Sequence, residues 1–170
     1  MSNTLKTTLL LGAMTALIVG IGGWIGGQFG MLVALLIAGA ANFVGYWFSD
    51  RLVLSMHGAK KADATEVSAL NEIVQRLSQA AGLPTPRLYL IESDTPNAFA
   101  TGRNPQNAAI VVTRGLLRLC DSAEIEAVIA HEISHILNRD VLVSSIAATL
   151  AGGIMVIASV LRWEMLFGLG

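Results

Sequence analysis

Three long apolar runs lie along the chain. Residues 7–25 and 31–48 form the first two, and a short glycine-rich link at 26–30 joins them. The third run covers residues 141–161. Each run is close to the roughly 20 residues that cross a bilayer as a helix. The pattern therefore predicts a transmembrane helical hairpin, followed much later by a third transmembrane helix.

Charged residues concentrate between the second and third apolar runs. Hydrophobic residues make up 54% of the chain and charged residues 14%, and the mean hydropathy is +0.62, which is too apolar for a soluble domain. Only Lys6, Arg162 and Glu164 carry charge outside residues 50–140. The expected organisation is a transmembrane hairpin over residues 1–49, a soluble domain over 50–140, and a third transmembrane helix with its interface over 141–170.

Basic residues predict which side of the membrane the soluble domain faces. Lys6 precedes the predicted hairpin, and Arg51, Lys60 and Lys61 follow it. Because basic residues favour the cytoplasmic side, both ends of the hairpin and the domain after it are expected there. We interpret Lys60 and Lys61 as a solvated linker, with contact to anionic headgroups as the alternative. A cleaved signal peptide is disfavoured, since a second span follows the first at once without a small-residue cleavage site.

The soluble stretch predicts an α+β domain of helices and short strands. Its first helix is expected to open with a capping box from Asp63 to Glu66 and to end at Gly82. A strand follows at 87–92, and a hairpin, a short helix and a long helix complete the domain. The hairpin strands and the two helices are expected at residues 97–101, 108–113, 114–119 and 121–140. The buried face of the first helix is expected to contain Val67, Leu70, Ile73, Val74 and Leu77.

The long helix carries the candidate chemistry, and Asp121 or Ser122 is expected to cap its first turn, with Glu124 as the reciprocal partner of Asp121. His131 and His135 are four residues apart, so they differ by only about 40° around the helix axis and can hold one metal ion. The carboxylate of Glu132 lies beside them and can take a proton from a water held by the ion, whose pKa zinc lowers towards about 7. The spacing therefore predicts metal-assisted hydrolysis. Two buried, hydrogen-bonded histidines are the alternative interpretation.

Catalytic zinc takes three protein ligands and keeps one position open for water. His57 lies in a segment that we interpret as a linker, and Glu164 falls beyond the third predicted span. Asp140 is about 140° from His135 around a continuing helix, so it suits an outer hydrogen-bonding role or a helix end better than metal ligation. If that helix continues to Val141, the metal lies close to the bilayer surface. The residues alone leave the third ligand open.

Composition also bears on other partners. The net charge is −1 and no basic stripe interleaves with aromatic residues, so no nucleic-acid partner is expected. The single Cys120 can form no internal disulfide, which agrees with a reducing compartment. We interpret Cys120 as a packing residue, with a reactive thiol as the alternative. The oligomeric state is left open.

The segments NAFATG at 97–102 and HEISHILNRD at 131–140, set between a hairpin and a third span, resemble the HtpX-type membrane zinc metalloproteases. These are bacterial heat-shock proteases related to the CaaX prenyl proteases, and the resemblance covers nearly the whole chain. It implies a gluzincin-like α/β catalytic domain on the cytoplasmic face of the inner membrane, which cleaves misfolded membrane and soluble proteins. It also implies that His131 and His135 bind Zn²⁺ and that Glu132 is the general base.

The same resemblance implies a substrate-binding strand and a missing ligand. The strand lines the substrate cleft with Asn97, Ala98, Phe99 and Ala100. Its small side chains favour an exposed sheet edge onto which an extended peptide can add, with a plain turn role for Asn97 as the alternative. The family's third ligand is a glutamate beyond a fourth span, so it is expected beyond Gly170. The 170 residues are then the N-terminal portion of a longer enzyme and are not expected to be active alone.

Three hypotheses about function follow from the sequence. The first is a membrane-embedded zinc endopeptidase. The second is a non-catalytic membrane fragment or scaffold that lacks the third zinc ligand. The third is a membrane zinc hydrolase that acts on a lipid or another non-peptide substrate, which the edge-strand interpretation disfavours.

Overall fold

The computed structural model describes residues 3–63 and 67–148. Its elements are helices and four short strands, with a 3-10 turn at Pro105–Asn107 and a further helical segment at 141–148. The helices are α1 (Asn3–Trp47), α2 (Ser49–Met56), α3 (Ser68–Ala80), α4 (Arg114–Leu119) and α5 (Ser122–Asn138). The strands are β1 (Lys60–Lys61), β2 (Arg87–Ile91), β3 (Ala98–Thr101) and β4 (Ala109–Thr113).

Helix α1 contains the first two apolar runs. Its residues Leu5–Trp47 are long and apolar enough to cross a membrane. The helix is broken at Gly26 and Gly27, where φ is −127° and +57°, within the link that the sequence predicts. The parts on either side of the break are in contact, since the amide of Asn42 donates a hydrogen bond of 2.8 Å to the hydroxyl of Thr15.

The four strands form one sheet in the order β1-β2-β4-β3. β2 and β4 are parallel, whereas β1 pairs antiparallel with β2 and β3 pairs antiparallel with β4. The predicted hairpin of β3 and β4 is confirmed, and β3 lies at an edge of the described sheet. The linker interpretation of Lys60 and Lys61 was wrong, because both residues pair with β2 as β1. This two-residue strand has two exposed side chains, so it shows no apolar alternation.

The core lies where α3 and α5 pack on β2 and β4. All five residues of β4 are buried, as expected for a central strand. The predicted face of α3 is confirmed, with Leu77 partly buried at its margin. α3 begins at Ser68, later than predicted, and the expected capping box at 63–66 lies partly outside the described residues. Gly82, with φ of +67°, follows the end of this helix as predicted.

Both ends of α1 contact the part of the chain that contains the sheet. The side-chain amide of Asn3 donates to the carbonyl of Asn138 at 2.9 Å, and Arg103 donates to the carbonyl of Trp47 at 2.9 Å. α2 follows directly after α1, so the segment up to Met56 is a helix and not the predicted linker. The third predicted span begins in the helical segment at 141–148, and its remainder lies outside the described residues.

Candidate metal centre

Helix α5 is fixed at its start by the predicted cap. The Asp121 carboxylate accepts from the backbone N–H groups of Ala123 and Glu124 at 2.9 Å, and the Glu124 carboxylate accepts from the N–H of Asp121 at 2.9 Å. These bonds satisfy N–H groups that the first turn leaves without helical partners. Further along the helix, Ile129 and Ile133 are buried in the core. Core packing therefore sets the rotation of α5 and the direction of its polar side chains.

His131 and His135 meet on one side of α5. Their Nε2 atoms are 3.1 Å apart, and their ring centroids are 4.6 Å apart with the rings nearly perpendicular. Two nitrogens that each lie about 2.05 Å from a tetrahedral zinc ion are about 3.3 Å apart. The observed separation is within a few tenths of an ångström of that value. The two rings therefore fit a shared zinc ion with little rearrangement.

Asp140 supports His135 from outside the helix. Its carboxylate oxygens lie 3.1 and 3.2 Å from Nδ1 of His135, so this ring is held with Nε2 directed towards His131. The helix predicted over residues 121–140 is shorter in the structure and does not continue to Val141. α5 ends at Asn138 because Arg139 adopts a left-handed conformation with φ of +55°. This turn brings Asp140 back to His135, whereas a continuing helix would direct its side chain elsewhere.

Glu132 is buried between α5 and the edge strand. Only 9% of the residue is exposed, and Oε2 accepts a hydrogen bond of 2.8 Å from the backbone N–H of Ala100. Burial raises the pKa of Glu132 above its ordinary value. The Ala100 N–H bond and the two histidines oppose this shift, and Asp140 adds to it. The carboxylate is thus held in one position beside the histidine pair.

The edge strand presents its backbone to the site. Asn97 exchanges bonds with Thr113, since its N–H donates to the threonine hydroxyl at 2.9 Å and its carbonyl accepts from the threonine N–H at 3.0 Å. Antiparallel strands alternate in the direction of their backbone groups. The backbone N–H and C=O groups of Asn97 and Phe99 therefore point towards β4, whereas those of Ala98 and Ala100 point towards the open edge of the sheet.

The structure does not bring His57 to the histidine pair. Its ring packs on Phe99 with centroids 5.0 Å apart, and Nδ1 lies 2.9 Å from the carbonyl of Val53. Within residues 3–63 and 67–148, no group of three His, Cys, Asp or Glu side chains could hold a metal ion. Glu164 lies outside the described residues. The half-buried Cys120 packs against the core, in agreement with a packing role.

One supporting residue was not expected from the sequence. The hydroxyl of Ser145 lies 2.9 Å from the Thr101 hydroxyl and accepts from the N–H of Gly102 at 3.3 Å, and Ser145 is buried. These bonds join the end of β3 to the helical segment at 141–148. A serine within an apolar run was the only signal, and it is too common in membrane helices to identify a partner.

Residues 64–167 match a family model described as Peptidase family M48. The chain belongs to peptidase family M48. The matched range contains His131, Glu132, His135 and the edge strand. Membership confirms the metalloprotease class predicted from the sequence, and it implies a bound metal ion.

The chain is also similar to curated proteins that are named "Protease HtpX homolog". It is 53% identical over 168 residues to the protein of Desulforapulum autotrophicum, covering 99% of this chain and 54% of that protein. It is 55% identical over 159 residues to the protein of Acidiphilium cryptum, covering 94% and 55% of the two chains. It is 51% identical over 163 residues to that of Pyrococcus furiosus, covering 96% and 56%. The resemblance to HtpX-type proteases is thereby confirmed, and the chain spans about half the length of the curated relatives it matches.

Proposed function

We propose that this M48 chain belongs to a membrane-bound zinc endopeptidase that acts on misfolded membrane and soluble proteins. His131 and His135 hold the zinc ion, and Glu132 is the general base. The third ligand comes from outside the described residues, from the glutamate that the HtpX resemblance implies beyond Gly170. The main support is the 3.1 Å separation of the two Nε2 atoms next to a buried carboxylate on the sheet edge.

The roles of the protein groups follow from their positions. A zinc ion held by His131 and His135 would polarise the scissile carbonyl and lower the pKa of a bound water. Oε2 of Glu132 is held by the N–H of Ala100, so Oε1 is the oxygen that takes the proton from the attacking water. The same carboxyl group then donates this proton to the amine that leaves. Positioned general bases of this kind contribute about 10²–10⁴-fold to rate.

The edge strand explains how an extended substrate is held. A peptide that adds to β3 as another strand forms hydrogen bonds with the outward N–H and C=O groups of Ala98 and with the C=O group of Ala100, whose N–H is held by Glu132. These bonds do not depend on the substrate side chains. Alanine side chains along the edge also leave room for varied residues. Such recognition suits misfolded proteins, which share exposed extended segments and no common sequence.

The membrane placement rests on α1 and on the basic residues around it. The parts of α1 before and after Gly26 and Gly27 form a transmembrane hairpin, supported by the bond from Asn42 to Thr15. Both ends of α1 contact the soluble domain, which agrees with their lying on one side of the membrane. The positive-inside rule places that side in the cytoplasm. A third span follows from residue 141.

A non-catalytic membrane scaffold is the alternative, and one observation favours it. No third metal ligand lies among the described residues. In the endopeptidase, Glu132→Gln should retain zinc and lower kcat for casein by about 10²–10⁴-fold, whereas His135→Ala should lose zinc. His57→Ala is the matched control and should retain both. Undiminished proteolysis by Glu132→Gln would refute the proposed base. Wild-type protein that includes the segment with the proposed third ligand, and that neither retains zinc nor cleaves casein, would favour the scaffold.

A further inference from the structure

A cavity of about 330 Å³ lies where α1 ends and the soluble domain begins. Its wall contains three arginines, Arg51, Arg87 and Arg103, and one carboxylate, Asp50. The arginines belong to α2, to the first position of β2 and to the connection between β3 and β4. They come together through folding and not through a charge run in the sequence. Three guanidinium groups against one carboxylate give the cavity an excess of positive charge.

The arginines retain donors for a ligand. Arg87 donates through Nη2 to the buried Asp50 carboxylate at 2.7 Å, and Arg103 donates through Nη1 to the carbonyl of Trp47. Arg51 has no hydrogen-bond partner within the described part of the chain. Each guanidinium group has five N–H donors. Most donors in this wall therefore remain available to an anion.

Aromatic side chains place the cavity at the membrane surface. Phe43, Trp47 and Phe48 line it and are 59%, 46% and 40% exposed. The guanidinium carbon of Arg103 lies 4.8 Å from the Trp47 ring centroid, and that of Arg51 lies 5.6 Å from the Phe48 ring centroid. Amphipathic aromatic residues at the end of an apolar helix lie at the level of the lipid headgroups. The cavity is thus located at the depth where lipid phosphates occur.

We propose that this cavity binds the phosphodiester headgroup of an anionic phospholipid. Arginine pairs with phosphate through two parallel N–H bonds and stays charged at physiological pH. The volume is in the range of small-molecule sites. Basic pockets beside transmembrane helices on the cytoplasmic side suit anionic headgroups. The proposal rests on the membrane placement of α1 and is independent of the peptidase chemistry.

The test measures binding of the full 170-residue chain, purified in a neutral detergent, to three probes. These are monomeric dihexanoyl phosphatidylglycerol, dihexanoyl phosphatidylcholine and glycerol 3-phosphate. We expect saturable binding of phosphatidylglycerol, at least tenfold tighter than that of the other two. Arg51→Gln and Arg103→Gln should each weaken it about fivefold. Arg76→Gln is the matched control, because Arg76 is an exposed arginine of α3 paired with Glu126.

The outcomes are distinct. If glycerol 3-phosphate binds as tightly as phosphatidylglycerol, the cavity is a site for free phosphate esters and the lipid assignment is overturned. Equal affinity for phosphatidylcholine would also overturn the assignment to an anionic lipid. Unchanged phosphatidylglycerol binding by a folded Arg51→Gln variant would also overturn it. Arg103 donates a hydrogen bond to the backbone carbonyl of Trp47, so Arg103→Gln could prevent folding. Arg51 makes no such bond within the described part of the chain, so Arg51→Gln then decides the test. Flotation with phosphatidylcholine vesicles tests insertion of α1 separately, so failure of the membrane placement can be recognised by itself.

Discussion

Replacing Asp140 by asparagine tests how the protein orients the histidines that we propose as metal ligands. The carboxylate lies 3.1 Å from Nδ1 of His135, and it holds the ring in the tautomer whose Nε2 is free to bind a metal. An asparagine has nearly the same shape but carries no charge, and its amide can rotate to donate instead of accept. We expect Asp140→Asn to weaken zinc binding while leaving the fold intact.

The structure indicates the size of this effect. Removing a carboxylate that supports a metal-binding histidine lowers metal affinity by about 10–100-fold. The side chains of His135 and Asp140 are 41% and 36% exposed, so water screens their interaction. We therefore expect the lower part of that range, about 10–30-fold, which corresponds to about 1.4–2 kcal/mol.

Competition against a chromophoric chelator at pH 7.5 measures the zinc affinity of the purified chain. Asp94→Asn is the matched control, because Asp94 is 94% exposed and pairs with Arg118 on a surface turn. The loss in Asp140→Asn should persist at 0.5 M salt, since a direct contact is screened less than a long-range charge effect. A zinc affinity within twofold of that of the wild type would refute the orienting role. A loss of affinity that disappears at 0.5 M salt would show that Asp140 acts only through its long-range charge.

Three further predictions concern stability. Burial raises the pKa of Glu132, so in the metal-free protein the folded state loses stability as pH rises through that pKa and the side chain ionises. Glu132→Gln should therefore raise the melting temperature more at pH 8 than at pH 4. An equal change at both pH values would contradict this. The buried hydroxyl of Ser78 has no hydrogen-bond partner among the described residues. Ser78→Ala should therefore stabilise the protein by about 1 kcal/mol in urea unfolding, and a loss of that size would show a hidden partner. Gly102→Ala should destabilise it by about 2–3 kcal/mol, because φ is +141° and a Cβ would lie 2.7 Å from the carbonyl oxygen of Asn107. Gly82→Ala, with positive φ but open space, is the control and should lose only about 1 kcal/mol.

The elements that the sequence predicted well are those with local signals. The cap at Asp121 and Glu124 needs only residues three apart, and it forms as expected. The buried face of α3 follows from helical spacing alone. The hairpin of β3 and β4 was indicated by turn residues between two short strands. In each case the information lies within a few residues, so no knowledge of the tertiary structure was required.

The elements that the sequence missed depend on distant partners. β1 exists because Lys60 and Lys61 pair with Leu90 and Tyr89, which no local pattern records. α2 buries Asp50 near its start, where the carboxylate is stabilised by Arg87 from a different part of the chain. A short segment that contains a charged residue is interpreted as a solvated linker when the residue that stabilises the buried charge is not known. These elements could therefore be recognised only from the folded chain.

The end of α5 shows the same dependence at the candidate site. Arg139 adopts the left-handed conformation that usually favours glycine, so the sequence gives no stop signal there. The resulting turn nevertheless decides the position of Asp140 and, through it, the orientation of His135.

In the proposed endopeptidase, the bond between Ala100 and Glu132 would link substrate recognition to catalysis. One backbone N–H of the edge strand fixes the carboxylate, so the position of the base is defined relative to β3. A peptide paired with that strand is located in the same frame. A register shift of one residue turns its side chains to the other face, and a shift of two residues moves its backbone by about 6.8 Å. Register on β3 would thus determine which peptide bond faces Glu132. An endopeptidase built as proposed would cleave many sequences and still hydrolyse one defined bond in each bound segment.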